Sequence, residues 1–282
     1  MTNANRPSKN ERRAHARDVA RQRADAERRR KRRNRWFLQG GIGIGILAIA
    51  TIIALVAVNA NQSSSVSAAG PENMITGGIE FHAVDGKVEP VTTKAVSAKG
   101  EPSAAATTNS DGSAKVVEYV DWACPVCKQF EAAYADQIVD KVKSGDATLT
   151  IQPVSILDRN YQNSRYASRA ANAAMCVANY APDKFLAVQT QFFDNQPAEG
   201  TKGLTNAEIA KLVKAGGATG SDVSSCLSSE QYRGWVTKST NTVLADDSLK
   251  GPQGFGTPTV LVDGKRLDNL TQVITAIDQS GK

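Results

Sequence analysis

Nineteen consecutive residues, Gly40 to Val58, carry no charge and consist mostly of Ile, Leu, Val, Ala and Gly. No soluble fold of ordinary size exposes such a run, so it divides the chain. Counted from Trp36, 23 residues of helix reach about 34 Å, enough for a hydrocarbon core of about 30 Å. Trp36 and Phe37 stand where interfacial aromatics stand. Residues 1–35 hold 14 Lys/Arg against four acids, including the unbroken run Arg28 to Arg33. Such a run repels itself and builds no core. Basic residues on the amino side place that side in the cytoplasm and residues after Val58 outside. A cleaved signal peptide is the rival, with Val58-Asn59-Ala60 as a small-x-small site. The charged stretch and the apolar stretch are both longer than such peptides use, so an uncleaved anchor is expected. Gly41, Gly43 and Gly45 are spaced by two, not four, and make no helix-dimerisation motif.

The formal net charge of +6 therefore belongs to the tail, because the rest of the chain holds 20 basic and 24 acidic residues. That excludes a basic nucleic-acid-binding body, and nucleic acid is not an expected partner. An apolar content of 41% excludes wholesale disorder. Four cysteines are too few for a disulfide-dense scaffold. The expected organisation is a basic cytoplasmic tail over 1–35, a transmembrane helix over 36–58, and a flexible Ser/Asn/Ala/Gly tether over 59–76. One folded domain then covers 77–282.

Within that domain, residues 79–84 and the following Asp85-Gly86 read as a strand and turn. Residues 90–113 read as a surface loop. Ala114–Asp121 is β-rich with little polarity and reads as a central strand. Phe130, Tyr134, Ile138 and Val142 then recur at helical spacing. Leu149–Val154 is a second strand. About five helical stretches follow, over 164–180, 182–194, 205–215, 221–227 and 229–245. Strand pattern returns at Thr259–Val262, then the Asp263-Gly264 turn, Lys265–Leu267, and a last helix over 269–277. With the helices of about 158–250 taken as an insertion, β-α-β-β-β-α remains. Cys124-Pro125-Val126-Cys127 lies at the first strand-to-helix turn.

C-x-x-C has three readings: a zinc knuckle, structural cysteines, or a redox dithiol. Zinc wants four ligands. Cys176 and Cys226 are isolated, and His82 is the one histidine after the apolar run. No metal or other cofactor is expected. An oxidising compartment outside the membrane favours disulfide chemistry. At a helix amino terminus the unpaired N–H groups and the dipole stabilise an anion, which favours an exposed Cys124 thiolate over a shielded Cys127. An ordinary thiol of pKa about 8.5 is only about 3% thiolate at pH 7. Pro125 in the first turn costs no hydrogen bond and fixes φ.

The segment Val117-Glu118-Tyr119-Val120-Asp121-Trp122-Ala123-Cys124-Pro125-Val126-Cys127, with Gly256-Thr257-Pro258-Thr259 further on, resembles the DsbA-like thiol–disulfide oxidoreductases. The likeness covers roughly 75–282. It implies a thioredoxin-like α/β fold with an inserted α-helical domain. It implies that Cys124 is the attacking thiol and Cys127 the resolving one. Pro258 would be a cis-proline facing the dithiol, where the residues alone read as an ordinary trans proline. Thr257 would offer backbone groups to an extended substrate peptide. Glu118 would be a buried acid assisting proton transfer at Cys127; Val116 and Val120 share its strand face. Trp122 reads equally as packing or as part of a peptide-binding rim. With Cys124 and Cys127 paired, Cys176 and Cys226 are expected to form a structural disulfide closing a loop of about 50 residues. The rival is two free buried thiols.

The sequence departs from the best-known oxidase pattern in its intervening Pro125-Val126, which lacks a histidine. A weaker oxidant than the strongest relatives is expected, still well above thioredoxin. Between about −120 and −270 mV lie roughly 7 kcal/mol for two electrons. The expected function is an extracytoplasmic oxidoreductase that donates its Cys124–Cys127 disulfide to cysteine thiols of exported proteins. A membrane-embedded, quinone-linked partner would reoxidise it. The alternatives are a reductase or isomerase, and, from another class, a redox-silent binding module using the same groove.

Overall fold

The computed structural model of the protein describes residues 68–280. The expected basic tail, the membrane span over 36–58 and the tether as far as residue 67 lie outside the described residues. Among the described residues no helix is long and apolar enough to cross a membrane.

Six strands form one sheet: β1 (Ile79–Val84), β2 (Lys87–Pro90), β3 (Ala114–Val120), β4 (Ala147–Pro153), β5 (Thr259–Val262) and β6 (Lys265–Arg266), in the order β2-β1-β4-β3-β5-β6. β3 runs parallel to β4, with Glu118 opposite Ile151, and antiparallel to β5, with Glu118 opposite Val260. A strand paired on both edges and covered on both faces reads as a nearly continuous apolar run, as β3 does. Asp85-Gly86 and Asp263-Gly264 both have positive φ at each residue, the backbone of a tight hairpin turn, so β1–β2 and β5–β6 pair directly.

Helix α1 (Pro125–Lys143) follows β3 and starts at the dithiol. Lys141 and Lys143 in its last turn suit the negative end of its dipole. Between β4 and β5 lie α2 (Tyr166–Tyr180), α3 (Phe185–Asp194), α4 (Asn206–Ala215), α5 (Ser221–Ser229) and α6 (Arg233–Ala245); α7 (Val273–Gln279) closes the described chain. α2 is the hub of these helices and packs against the other four. Eleven of its 15 residues are buried, and its alanines let neighbours approach from every side. α4 begins with a reciprocal cap, Thr205 accepting from the Glu208 N–H while Glu208 accepts from the Thr205 N–H. Cys176 on α2 and Cys226 on α5 form a disulfide, with Cα atoms 5.8 Å apart.

The tether expected over 59–76 requires correction. Residues 70–76 are built into the folded domain. Asn73 Nδ2 donates to the Ala178 carbonyl (2.9 Å), and the Glu72 N–H donates to Asn179 Oδ1 (2.7 Å). The Gly70 N–H donates to the Val96 carbonyl (2.8 Å). A Cβ at Gly70 would stand 2.9 Å from the Trp235 ring, so only glycine permits this approach. Met74 is fully buried. The segment reads as the end of a linker because its partners, on α2 and at Val96, are remote in sequence. The surface loop over 90–113 is similarly tied down, with Val96 buried and the Lys238 ammonium on the Gly100 carbonyl.

Candidate active site

Cys124 is the N-cap of α1, with extended φ/ψ of −84° and 118°. Its sulfur accepts from the Cys127 N–H (3.5 Å), doing at this helix start what Ser or Asp does elsewhere. Pro125 occupies the first turn. Both cysteines are free thiols. Cys124 is 5% exposed and Cys127 fully buried, whereas Val126 between them is 50% exposed. The attacking thiol is thus more enclosed than expected. What covers it is the loop before β5, whose Thr257 carbonyl accepts from Cys124 Sγ at 3.2 Å, 133 residues away in sequence. The Thr257–Pro258 peptide is cis. That loop rests on Phe255, which is buried and meets the Tyr119 ring edge-on at 5.9 Å.

The two thiols differ chemically. The Cys124 pKa is lowered to about 7, first by the hydrogen bond from the Cys127 thiol, and further by the Thr257 side chain and the Cys127 and Val126 N–H groups, against burial. Cys127 is pushed well above the ordinary thiol value, first by burial and then by its interactions with Cys124.

Glu118 lies under the dithiol, 2% exposed, with Oε1 unpaired. Burial, and next the Glu131 charge, raise its pKa well above the carboxylate range. Glu131 is a residue the sequence reading missed. It sits on α1 one turn beyond Cys127, at i+4, and that spacing was a readable signal. Burial raises it to about 7, although Gln189 Nε2 on α3 donates to it.

The loop before Cys124 is held from three directions. Asp121 Oδ1 accepts from the Ala123 N–H (2.9 Å), and the Asp121 carbonyl accepts from the Cys124 N–H (2.9 Å). The Tyr161 hydroxyl donates to the Ala123 carbonyl (2.8 Å). Gln196 Nε2 lies 2.8 Å from the Trp122 carbonyl and 3.0 Å from that of Cys124. Tyr161 and Gln196 belong to the helical insertion, and nothing in their own sequence context marks them. Trp122 is fully buried, edge-on to Phe185 and Phe192 at 6.2 and 6.0 Å. It packs, and is not on a rim. Cys176 and Cys226 stand apart from this site, in their own disulfide. Among the described residues no group of three His, Cys, Asp or Glu side chains is placed to hold a metal ion.

Comparison with known proteins follows the same lines. No curated protein sequence matches the chain. Among solved structures, the reduced DsbA of Mycobacterium tuberculosis is 26% identical, with a TM-score of 0.55 over 72% of this chain and 91% of that one. The oxidised BdbD of Bacillus subtilis, at 18% identity and a TM-score of 0.52, covers 76% of this chain and 98% of that one and shows the shared fold. So does MdbA, a thiol-disulfide oxidoreductase from Corynebacterium matruchotii, at 19% identity, a TM-score of 0.52, and 71% and 92% coverage. A family model described as thioredoxin matches residues 103–278, more than half of the chain. That span takes in both the dithiol and the loop that covers it, and the chain accordingly belongs to the thioredoxin family and is an oxidoreductase.

Proposed function

We propose that the protein is a membrane-anchored, extracytoplasmic thiol–disulfide oxidoreductase that donates a Cys124–Cys127 disulfide to cysteine pairs of exported proteins. The observation that carries this reading is the asymmetric placement of the pair: Cys124 caps the helix start and faces the Thr257 carbonyl, while Cys127 is fully buried one turn inside. The Cys124 pKa is lowered and that of Cys127 raised in keeping with it. A substrate thiolate attacks Cys124 Sγ, and the Cys124–Cys127 bond breaks. Cys127 leaves and takes a proton, which Glu118 is placed to give, since burial and the Glu131 charge raise its pKa and favour its protonated form. The second substrate thiolate then attacks the substrate sulfur of the mixed disulfide. Cys124 departs as a stabilised thiolate, a good leaving group. Thr257, its carbonyl already facing Cys124, offers backbone to an extended substrate chain beside Pro258. Glu131 lies next along α1 to return the proton. A membrane-embedded, quinone-linked partner reoxidises the dithiol, and the apolar run over 36–58 keeps the two in one membrane.

The test is oxidation of a reduced, unfolded model protein by the full chain in detergent. The wild type should restore its disulfides, and Cys124→Ser should not. A Cys124→Ser chain that keeps the activity refutes the assignment. The reduction potential fixes the direction of electron flow. A value of roughly −100 to −180 mV supports a donor, and one near −270 mV a reductase.

A further inference from the structure

One buried acid is unused by this chemistry. Asp121 is fully buried, three residues before Cys124. Its position follows from the sheet. The last rung between the parallel strands β3 and β4 is the Val154 N–H on the Val120 carbonyl (2.9 Å). Beyond it the strands part, and two N–H groups lose their ladder partners. Asp121 Oδ2 takes both, from Ile156 (2.8 Å) and Leu157 (3.1 Å). Oδ1 takes the Ala123 N–H, one residue from the reactive cysteine. Three peptide dipoles therefore hold this carboxylate, and among the described residues no Lys, Arg or His forms an ion pair with it. The titratable groups facing it are Cys124 from its own loop, Asp158 and Tyr161 from the turn after β4, and Tyr166 from the start of α2. None of them brings a positive charge.

We propose that Asp121 is a positioning residue whose buried negative charge opposes the Cys124 thiolate, making the dithiol a weaker disulfide donor than its helix amino terminus alone would make it. The consequence for function rests on the donor reading above; the charge coupling itself does not. Reduction by a substrate dithiol converts the Cys124–Cys127 disulfide into a Cys124 thiolate and a Cys127 thiol. The two electrons come from the substrate, which becomes the disulfide, and its second proton is released. A buried anion bound to the N–H of the residue next to that new thiolate raises the free energy of the reduced form. Burial lifts Asp121 to about 7 despite its N–H donors, and the Cys124 charge adds to the rise, so the opposition grows as pH passes through neutrality.

Two measurements on the full chain in detergent test this. In the first, Asp121→Asn removes the charge at constant size. The Cys124 thiolate, followed by absorbance near 240 nm, should titrate about one unit lower than in the wild type. The equilibrium constant for giving up the disulfide should rise about tenfold above pH 7, roughly 30 mV toward the oxidising side. The gain should vanish near pH 5, where Asp121 is neutral in the wild type. A residue that only braces the loop would lower the melting temperature and leave the Cys124 midpoint in place. The second needs no variant and decides the matter if Asp121→Asn fails to fold. Linkage is reciprocal, so the Asp121 carboxyl, observed by carbon-13 NMR, must titrate at higher pH in the reduced chain than in the oxidised one. An unchanged Cys124 midpoint in a folded Asp121→Asn chain, or equal Asp121 titrations in the two redox states, overturns the proposal. Failure of the wild type to oxidise a model protein would sink the donor reading and leave the coupling measurable.

Discussion

The Cys124 thiolate is held first by a donor that can be removed. The largest cause of its lowered pKa is the hydrogen bond from the Cys127 thiol, while burial works the other way. Cys127→Ala deletes that donor and keeps the helix start, the two backbone N–H groups and Thr257. The midpoint should then rise from about 7 toward the ordinary thiol range, whose upper end is 9.0. At a midpoint of 7, half of Cys124 is thiolate at pH 7; at 9, about 1% is, a roughly fifty-fold loss. Reactivity falls less, because a more basic thiolate attacks faster. With a Brønsted slope of about 0.4–0.5, two units return roughly eightfold, so alkylation at pH 7 should slow only about sixfold. The pH midpoint is therefore the decisive reading, and rate at a single pH is a poor one. Cys127→Ser supplies the control, since a hydroxyl still donates to the thiolate and should keep the midpoint within about half a unit. The assay is iodoacetamide alkylation across pH 5–10, checked against thiolate absorbance. If the Ala and Ser variants share a midpoint near 7, the Cys127 side chain does not hold the thiolate and the reasoning fails.

Two further outcomes are expected, both read on chain oxidised at Cys124–Cys127 so that neither thiol titrates. A Cys176→Ala/Cys226→Ala chain loses a cross-link across a sequence separation of 50. That is about 4 kcal/mol in the chain-entropy model, or a melting temperature lower by about 8–16 °C; a variant melting with its parent removes the structural role. Stability should also fall as pH rises from about 4 to 8. Asp121 goes from 3.8 to about 7 on folding and Glu131 from 4.5 to about 7, each with its pKa raised mainly by burial. Such groups cost nothing below their unfolded values and the full penalty above the folded ones, about 4 kcal/mol at most for the fully buried Asp121, and less in the oxidised chain, which lacks the Cys124 charge that adds to its rise. A melting temperature flat across that range would mean that Asp121 is held as an anion at little cost.

Much of this protein can be read along its chain because the relevant physics is local. The β-rich run over 114–121, the C-x-x-C at its end and the 3.6-residue spacing of Phe130, Tyr134, Ile138 and Val142 place the dithiol on a helix start before any packing is known. Asp-Gly pairs mark both hairpins because their backbones need positive φ at two successive residues. Glu118 was legible as buried from Val116 and Val120 on its face. The inserted helices were legible one by one from alanine, Pro and capping residues, with errors confined to a few residues at their ends.

The rest depends on contacts between residues far apart in sequence. Residues 70–76 look like the end of a Ser/Asn/Ala/Gly-rich linker until Asn179, Ala178 and Val96 are seen to fill their hydrogen bonds and Trp235 to cover Gly70. Cys124 looks exposed until the loop 133 residues later closes over it. Trp122 could have been rim or core, and only Phe185 and Phe192 make it core. Tyr161 and Gln196 carry no local mark, because their task is to bind carbonyls that another segment presents. Local backbone preference and hydrophobic period select helices, strands and turns. Which polar atoms end up facing one another, and how far each acid is taken out of water, is settled when those elements pack, and that is where the pKa values of Asp121, Glu118 and the two thiols are set.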